Sequence, residues 1–224
     1  MSHINLNELN LEQLRIGKSG RAIKLFYDKE PLQLVTGKLY SPFGVRVNPS
    51  NYSSWNTCSI DCSLNQSNSE SSVAYKTALE NLDTRIIELL SESQHLFDKA
   101  PEELFSDISS VYSPILRENK TYPKLMKIAL PRDTKGNFEC VIFDETKEKI
   151  QLDDNNISQV LCKGKIFKSI IECNKIWYYN GRFGTTWNLK QMRFTQNDPS
   201  SSGDLIERTK PDNKIYETNM LLDD

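Results

Sequence analysis

The hydrophobic pattern divides the chain into a strand-rich region, a helical region and a second strand-rich region. In the first, residues 21–27 are rich in strand-forming side chains, and residues 32–36 alternate between apolar and polar positions. Residues 57–64 alternate strictly, with cysteine, isoleucine and leucine at the apolar positions. This pattern predicts a strand with one buried face. The Ser-Pro-Phe-Gly sequence at 41–44 supplies a turn.

The second region has helical periodicity. Apolar residues recur every three or four positions from Leu79 to Phe97, which predicts an amphipathic helix of roughly 24 residues. Pro101 and the two glutamates after it form a favourable first turn for a second helix, which Pro114 would end. We therefore expect a helical insert at about residues 73–113.

In the third region the strand pattern returns. The predicted strands are 124–130, 138–143, 149–152, 165–173, 176–179 and 185–194. Asn180 and Gly181 predict a tight hairpin turn. Beyond residue 196 the chain is polar and acidic with little periodicity, so residues 197–224 are expected to form a mobile tail.

This order of elements predicts a mainly β fold with some α-helix. The most economical version is an OB-fold-like antiparallel barrel in a single domain, residues 1–196, with the helical insert and an acidic, mobile C-terminal tail at 197–224. Such barrels bind single strands of nucleic acid across one face. Spacing alone does not establish the strand order.

Charge is segregated along the chain, although the net charge is only −2. Residues 117–194 carry 15 basic and 9 acidic side chains, whereas residues 68–116 carry 3 and 9. Residues 195–224 carry 3 basic and 7 acidic side chains. A basic block therefore lies between an acidic helical segment and an acidic tail, which favours a polyanionic ligand for the block.

Cations and flat rings are interleaved in and near this block, as a single-stranded nucleic acid requires for its phosphates and bases. The candidate nucleic-acid-binding residues are Lys38, Tyr40, Phe43, Arg46, Lys124, Lys127, Arg132, Lys163, Lys165, Lys168, Trp177, Tyr179, Arg182, Trp187, Lys190 and Arg193. Taken one by one, the rings are more typical of a core than of a stacking site, and each lysine could equally belong to a solvated surface. Trp55 is undecided on the same grounds.

Strand alternation sorts the aromatic residues of the last two strands into faces. Trp177 and Tyr179 should share one face, opposite Ile176 and Tyr178. The same rule places one set of side chains opposite another: Trp187, Leu189, Gln191 and Arg193 against Asn188, Lys190, Met192 and Phe194. One face must fill the barrel, but the sequence does not identify which.

Other chemistry has little support. The five cysteines are interpreted as reduced thiols of an intracellular protein, and the C-x3-C pair Cys58 and Cys62 as core residues. The acidic pairs at 144–145 and 153–154 read as solvated turns, and there is no glycine-rich phosphate loop. With two histidines, a catalytic constellation is not expected. We predict no enzyme activity, cofactor, metal site, signal peptide or membrane span.

Four motifs resemble those of a known family. They are LVTGKLYSPFGV at 34–45, Leu-Asp at 82–83, VYSPI at 111–115 and IWYYNGRFGTTWNLKQ at 176–191. The chain resembles the single-stranded DNA-binding proteins of nucleocytoplasmic large DNA viruses, which are similar to OB-fold replication proteins of short-tailed bacteriophages. Two departures are Gly37, where the family pattern has proline, and a C-terminus without a final aromatic residue.

The resemblance implies non-catalytic, largely sequence-independent binding of single-stranded DNA in viral DNA replication, recombination or repair. It also implies a homodimer, contacts with replication proteins, and a location in the host cytoplasm or nucleus. The tail could compete with DNA or dock a basic partner through Asp212, Glu217, Leu221, Leu222, Asp223 and Asp224. It could also be simply solubilising.

Two alternatives stay open at this stage. One is a structural or scaffold module whose rings are all interior and whose acidic segments contact other proteins. The other is binding of single-stranded RNA in the same groove, because backbone contacts and stacking discriminate poorly between the two sugars.

Overall fold

The computed structural model describes residues 3–50, 53–64, 70–97, 100–118 and 123–195. These residues form one 14-stranded sheet. Its strands are β1 (Ile4–Asn5), β2 (Leu14–Ser19), β3 (Ala22–Tyr27), β4 (Glu30–Pro31), β5 (Gln33–Val35), β6 (Leu39–Tyr40), β7 (Val45–Asn48), β8 (Thr57–Leu64), β9 (Tyr112–Ser113), β10 (Leu125–Leu130), β11 (Val141–Phe143), β12 (Lys149–Ile150), β13 (Ile166–Tyr179) and β14 (Arg182–Phe194).

Helices are few by comparison. They are α1 (Glu70–Glu92), α2 (Ile108–Val111) and α3 (Ile157–Val160), with 3₁₀ turns at Leu6–Glu8, Leu11–Gln13, Gln94–Leu96 and Glu102–Asp107. Most of the helical residues lie between β8 and β10, where the helical pattern predicted them. The first helix ends at Glu92, earlier than the predicted stretch, and Phe97 lies beyond it. The short helix α3 was not predicted.

Five strands close into a barrel. In order around the ring, β13 pairs with β6, β6 with β8, β8 with β10, β10 with β14, and β14 with β13. The β10–β14 pair is parallel and the other four are antiparallel. A closed five-stranded ring with a long final hairpin is the OB-type arrangement that the element order predicted.

The final hairpin is continuous where two strands were predicted. A bulge between Cys173 and Lys175 joins the segments predicted at 165–173 and 176–179 into the single strand β13. A bulge inserts a residue without ending the strand. In the sequence, however, the polar residues of this bulge resemble those of a turn. The predicted turn is confirmed: Asn180 and Gly181 both have positive φ, 48° and 72°, as a two-residue hairpin requires.

A second bulge corrects the predicted faces of β14. Ile170 pairs with Gln191 but Ile171 pairs with Leu189, so Lys190 is the extra residue. Strict alternation fails there, because each extra residue moves the following side chains to the other face. As a result Trp187, Leu189, Met192 and Phe194 are all core residues. The prediction that the last two oppose the first two was wrong.

The core fills the barrel and continues beneath α1. Along β8 the alternation is confirmed, since Cys58, Ile60 and Cys62 are buried in the core. Leu79, Leu82, Ile86 and Leu90 of α1 are each 0% exposed and pack against the same core. Beyond α1, Phe97 and Phe105 form a ring cluster with Phe183, with centroids 5.3–6.2 Å apart. The insert is thereby fixed to the barrel.

Candidate nucleic-acid interface

A groove crosses the outer face of the barrel over β8 and β10. It encloses about 400 Å³, and we call it the barrel groove. Its lining comprises Asn48, Thr57, Cys58, Ser59, Ser113, Pro114, Ile115, Arg117, Lys127, Ala129, Trp177, Thr185, Thr186 and Trp187. When the five ring strands are counted in chain order (β6, β8, β10, β13, β14), β8 and β10 are the second and third. OB folds bind oligonucleotides across the face of these two strands.

The floor of the groove follows from strand alternation. Because the cysteines and isoleucine of β8 point inward, Ser59 and Asp61 point outward. The register places Lys127 opposite Asp61 and Ala129 opposite Ser59 on the neighbouring strand β10. Side chains that are paired in this way share one face of a sheet. The floor therefore combines one cation, one anion and small residues.

Three cations surround Asp61. Its carboxylate lies 3.0 Å from Arg46 Nη2 and 4.0 Å from Arg117 Nη2, and Lys127 is its cross-strand neighbour. The two arginine side chains are 59% and 52% exposed, whereas that of Asp61 is only 16% exposed. The carboxylate thus orients both guanidinium groups from beneath, and the cluster keeps a net positive charge toward solvent.

The groove continues past Arg117 into a smaller hollow of about 350 Å³ that contains Phe43 and Arg46. Phe43 is 43% exposed, and its ring lines this hollow. From Trp177 on β13 to Arg46 on β7 the path crosses four strand-to-strand steps, or about 19 Å. An aromatic residue therefore stands at each end of a row of cations.

Trp177 lies flat across the opposite strand of the hairpin. Its cross-strand neighbour is Gly184, and a Cβ added to that glycine would lie 2.3 Å from Trp177 Cζ2. The indole therefore occupies the space that any other residue at 184 would fill. One ring face rests on β14, while the half-buried indole also lines the groove. This explains the second glycine after the hairpin turn.

One wall of the groove, the segment 112–117, is held by a buried carboxylate. Asp83 of α1 is 8% exposed; it accepts a hydrogen bond from Tyr112 Oη at 2.7 Å and from Ile115 N at 3.0 Å. Burial raises the pKa of Asp83 to about 6, although both hydrogen bonds favour the ionised form. The Leu-Asp and VYSPI motifs are thus two halves of one contact.

The Ser-Pro-Phe-Gly turn is a barrel corner as well as a groove edge. Gly44 has φ of 74°, and a Cβ there would lie 2.8 Å from Leu161 O, so glycine is required. Ser41 Oγ accepts a hydrogen bond from Gly44 N at 3.0 Å. This tight corner leaves Phe43 projecting beside the groove, while Tyr40 is half-buried in the pairing of β6 with β13.

The structure brings five of the predicted nucleic-acid-binding residues to the groove and its extension: Phe43, Arg46, Lys127, Trp177 and the buried Trp187. Another group lies at the far end of the hairpin, at its base: Lys38, Tyr40, Lys163, Lys165, Lys168 and Arg193. On β13 the sequence positions 168 and 177 are nine residues apart, which corresponds to about 30 Å. The predicted convergence of all these residues on one groove is therefore not what the fold shows.

Three of the remaining predicted cations, Lys165, Lys190 and Lys124, have local partners. Lys165 Nζ is 3.4 Å from Glu145 Oε1 and 4.7 Å from the ring centroid of Phe194. Lys190 is 3.8 Å from Glu172. Lys124 is 3.4 Å from Glu80 of α1, and with Arg182 it borders a cavity of about 710 Å³ beside that helix. Tyr179, 70% exposed, stands at the hairpin tip.

Three predicted site residues are corrected because they are buried. Trp187 is 2% exposed in the core, and its indole nitrogen donates to Thr185 Oγ1 at 2.9 Å. Arg193 is 5% exposed. The side chain of Arg132 is 6% exposed, binds Asp154 and stacks on Phe138. None of the three presents a free surface to a strand of nucleic acid, so we exclude them from the interface.

Arg117 was missed by reasoning from the sequence. It borders the groove, the Phe43 hollow and the cavity beside α1. It lies two residues after the VYSPI motif and is the first residue of the basic block, so its position was an available signal. Ser59, Thr57 and Thr186 were also missed, because short polar residues on a strand carry no distinctive pattern. Trp55 packs instead on the turn at Gly136.

Several predictions concern other features of the chain. The tail residues Asp212, Glu217, Leu221, Leu222, Asp223 and Asp224 lie outside the described residues. All five cysteines are free thiols. Within the described ranges no group of three or more potential ligands among histidine, cysteine, aspartate and glutamate is placed to hold a metal ion. No helix in the described part of the chain is long and apolar enough to cross a membrane.

Comparison with known proteins gives a distant relative and similar structures. No protein-family model matches the chain. It is 24% identical over 174 residues to an uncharacterized protein of Acanthamoeba polyphaga mimivirus, a match that covers 74% of this chain and 26% of that protein. The chain thus spans about a quarter of the length of this relative.

Three solved structures of the single-stranded DNA-binding protein from bacteriophage Enc34 are also similar. The complex with single-stranded DNA has a TM-score of 0.46 at 10% identity and covers 84% of this chain and 97% of that one. A C-terminal truncation has 0.42 at 12%, covering 84% and 98%, and a further structure has 0.42 at 11%, covering 86% and 96%. The strand order of the barrel by itself identifies the fold as OB-type.

Proposed function

We propose that this protein binds single-stranded DNA in the barrel groove, without catalysis and with little base preference. The observation that carries the proposal is the combination of Trp177 and Phe43 at the two ends of a row of cations, on the face that OB folds use for oligonucleotides. The four sequence motifs support DNA as the ligand, because they resemble those of viral proteins with this activity.

The cations would contact phosphates. Arg46, Arg117 and Lys127 are exposed residues along one path, and Asp61 beneath them holds the two arginines in place. Each phosphate contact releases counterions, so the affinity for a single strand should fall with salt by a slope of about 0.7 for each contact. Three contacts predict a slope of about 2 from this cluster.

The rings explain why an unpaired strand is preferred over a duplex. Stacking on Trp177 or Phe43 requires the flat face of a base, which a duplex keeps inside its own stack. One side of the Trp177 indole already rests on Gly184 before a ligand binds. The ring therefore loses little conformational freedom when a base stacks on it. The hydroxyl groups of Thr57 and Thr186 add polar contacts without a fixed pattern for any one base.

The biological setting is part of the same proposal. We place the activity in viral DNA replication, recombination or repair, within a reducing compartment of the host cell, the cytoplasm or nucleus. A homodimer and contacts of replication proteins with the acidic tail are proposed with it. The reducing compartment is inferred from the five cysteines, and the other features are inferred from the resemblance of the four motifs.

The test uses the intrinsic fluorescence of the full-length protein titrated with oligo-dT. We expect quenching that weakens with salt and is lost in Trp177→Phe, whereas Trp55→Phe, the matched control, retains it. Competition with poly-U and with duplex DNA distinguishes the ligand classes. If oligo-dT does not bind, or if poly-U competes better than poly-dT, binding of single-stranded DNA is rejected as the function.

A further inference from the structure

Backbone hydrogen bonds join the turn at residues 161–165 to the Ser-Pro-Phe-Gly turn at the end of the groove. Ser41 N donates a hydrogen bond to Lys165 O over 2.9 Å, and Gly164 N donates to Ser41 O over 2.7 Å. Val45 N donates to Leu161 O over 2.8 Å. These backbone contacts make the two turns one unit, which we call the corner (residues 41–45 and 161–165).

The corner places a lysine beside Phe43. The backbone nitrogen of Lys163 would lie 2.9 Å from a Cβ on Gly44, which directly follows Phe43 in the chain. Glycine at 44 therefore allows this close approach, and any larger residue would force the two turns apart. A lysine side chain is long enough to reach a ligand that leaves the groove over Phe43.

Lys163 is also available to a ligand. It is exposed, and within the part of the chain that the structure describes it forms no ion pair. Gly164 is exposed too, and the space around its Cα is open, with no atom within 4 Å of an added Cβ. Lys165, by contrast, is held by Glu145 at 3.4 Å. The exposed charge of the corner therefore comes from Lys163.

We propose that the corner is a second phosphate-binding segment, which takes the sugar–phosphate backbone of a single strand as it leaves the barrel groove past Phe43. Lys163 is its principal contact. This inference rests on the proposed function and extends it, because it gives the bound strand a path and a minimum length. A strand confined to the groove spans about 19 Å and ends at Phe43, short of Lys163.

Oligonucleotide length separates the two segments experimentally. Binding of the full-length protein is measured by fluorescence anisotropy with oligo-dT of about 4 and about 16 nucleotides, the limits of known OB-fold site sizes. With the longer oligonucleotide, Lys163→Ala should lower the affinity about fivefold at 0.1 M salt and reduce the salt slope by about 0.7. With the shorter one it should change neither. Lys149→Ala, an exposed lysine on β12, is the matched control.

Each outcome is decisive. If Lys163→Ala leaves the affinity for the longer oligonucleotide unchanged while wild type binds both, the corner is not a phosphate site and the groove proposal stands. If both oligonucleotides lose affinity equally, Lys163 belongs to the groove and the separate segment is rejected. If wild type binds neither oligonucleotide, the proposed function itself fails.

Discussion

The two ends of the β13–β14 hairpin carry similar residues and differ in their surroundings. At its base, Phe167 and Phe194 are sealed in the barrel, and Arg193 is buried between flanking strands because β11 pairs with β14 there. Toward the tip, β14 is flanked by the two-residue strand β9, and Trp177 stays half-exposed on Gly184. Aromatic and basic residues are thus buried at the base of the hairpin, whereas an aromatic residue toward the tip is accessible to a ligand.

The difference shows that strand neighbours decide the role of a ring or a cation. A side chain on a strand is buried when other elements cover its face, whatever its own type. Aromatic and basic residues in the last two strands therefore cannot be assigned to a site by composition. Changes at matched positions of the two ends test this interpretation.

The largest expected effect comes from replacing Trp187 and Trp177, one at a time, by alanine. Trp187→Ala should lower the free energy of unfolding by about 3–5 kcal/mol, because it leaves a cavity in the core. Trp177→Ala should cost far less stability but weaken single-strand binding by about 1–3 kcal/mol. Urea denaturation and anisotropy measure the two quantities. Equal losses of stability would remove the distinction between core and site.

A comparable effect is expected from Asp83, which holds the groove wall near the tip. Its pKa is about 6 in the folded protein, above its ordinary 3.8, so the folded state binds more protons than the unfolded state between these values. The free energy of unfolding should therefore fall as pH rises from about 4 to about 6, by up to about 3 kcal/mol.

Asp83→Asn removes this titration and serves as the comparison. Urea denaturation at a series of pH values should show a downward slope for wild type relative to the variant in that window. Parallel curves would mean that the carboxyl group has the same pKa in both states. Tyr112→Phe, which deletes one donor to Asp83, should raise the pKa further and move the slope to higher pH.

Charge removal distinguishes the groove from the base of the hairpin. Changing Arg46, Arg117 and Lys127 together to glutamine should reduce the salt slope by about 2 and the affinity about a hundredfold at 0.1 M salt. The matched control changes Lys165, Lys168 and Lys190 to glutamine and should leave binding of an oligonucleotide of about 4 nucleotides intact. Equal losses from both triple variants would contradict the placement of the site in the groove.

The smallest effect is expected from a single added methyl group. Gly184→Ala should displace the Trp177 indole, since the new Cβ would lie 2.3 Å from it, and weaken binding about tenfold, within the range for the loss of one stacked base. Gly17→Ala on β2 is the control, because its Cβ would meet only the Phe26 ring, at 3.4 Å. Unchanged binding in Gly184→Ala would show that the seat of Trp177 on β14 is not required.

Local patterns were sufficient for much of the fold. The helical period predicted most of α1, and the alternation in β8 predicted its buried face. Asn180 and Gly181 predicted the hairpin turn because the positive φ values are a property of those two residues and their immediate neighbours. In each case the signal and the structure lie within a few residues of each other.

The site was harder to predict because its parts are distant in the sequence. Arg46, Asp61 and Arg117 meet only when β7, β8 and the segment after α2 come together. Trp187 is buried and Trp177 is half-exposed, although both lie among aromatic and polar residues in the sequence. The bulges and the neighbouring strands decide which of the two is covered. No local pattern encodes such contacts.

By itself, the sequence determined where most of α1, most of the longer strands and the hairpin turn form, and that positive charge concentrates in residues 117–194. Backbone preferences and side-chain periodicity act over a few residues, so these features needed no knowledge of the fold. The tertiary structure alone decided which face of the hairpin is covered, which cations share a groove, and that Asp83 holds the groove wall. Those outcomes depend on burial and on pairing between remote segments, and both exist only once the barrel closes.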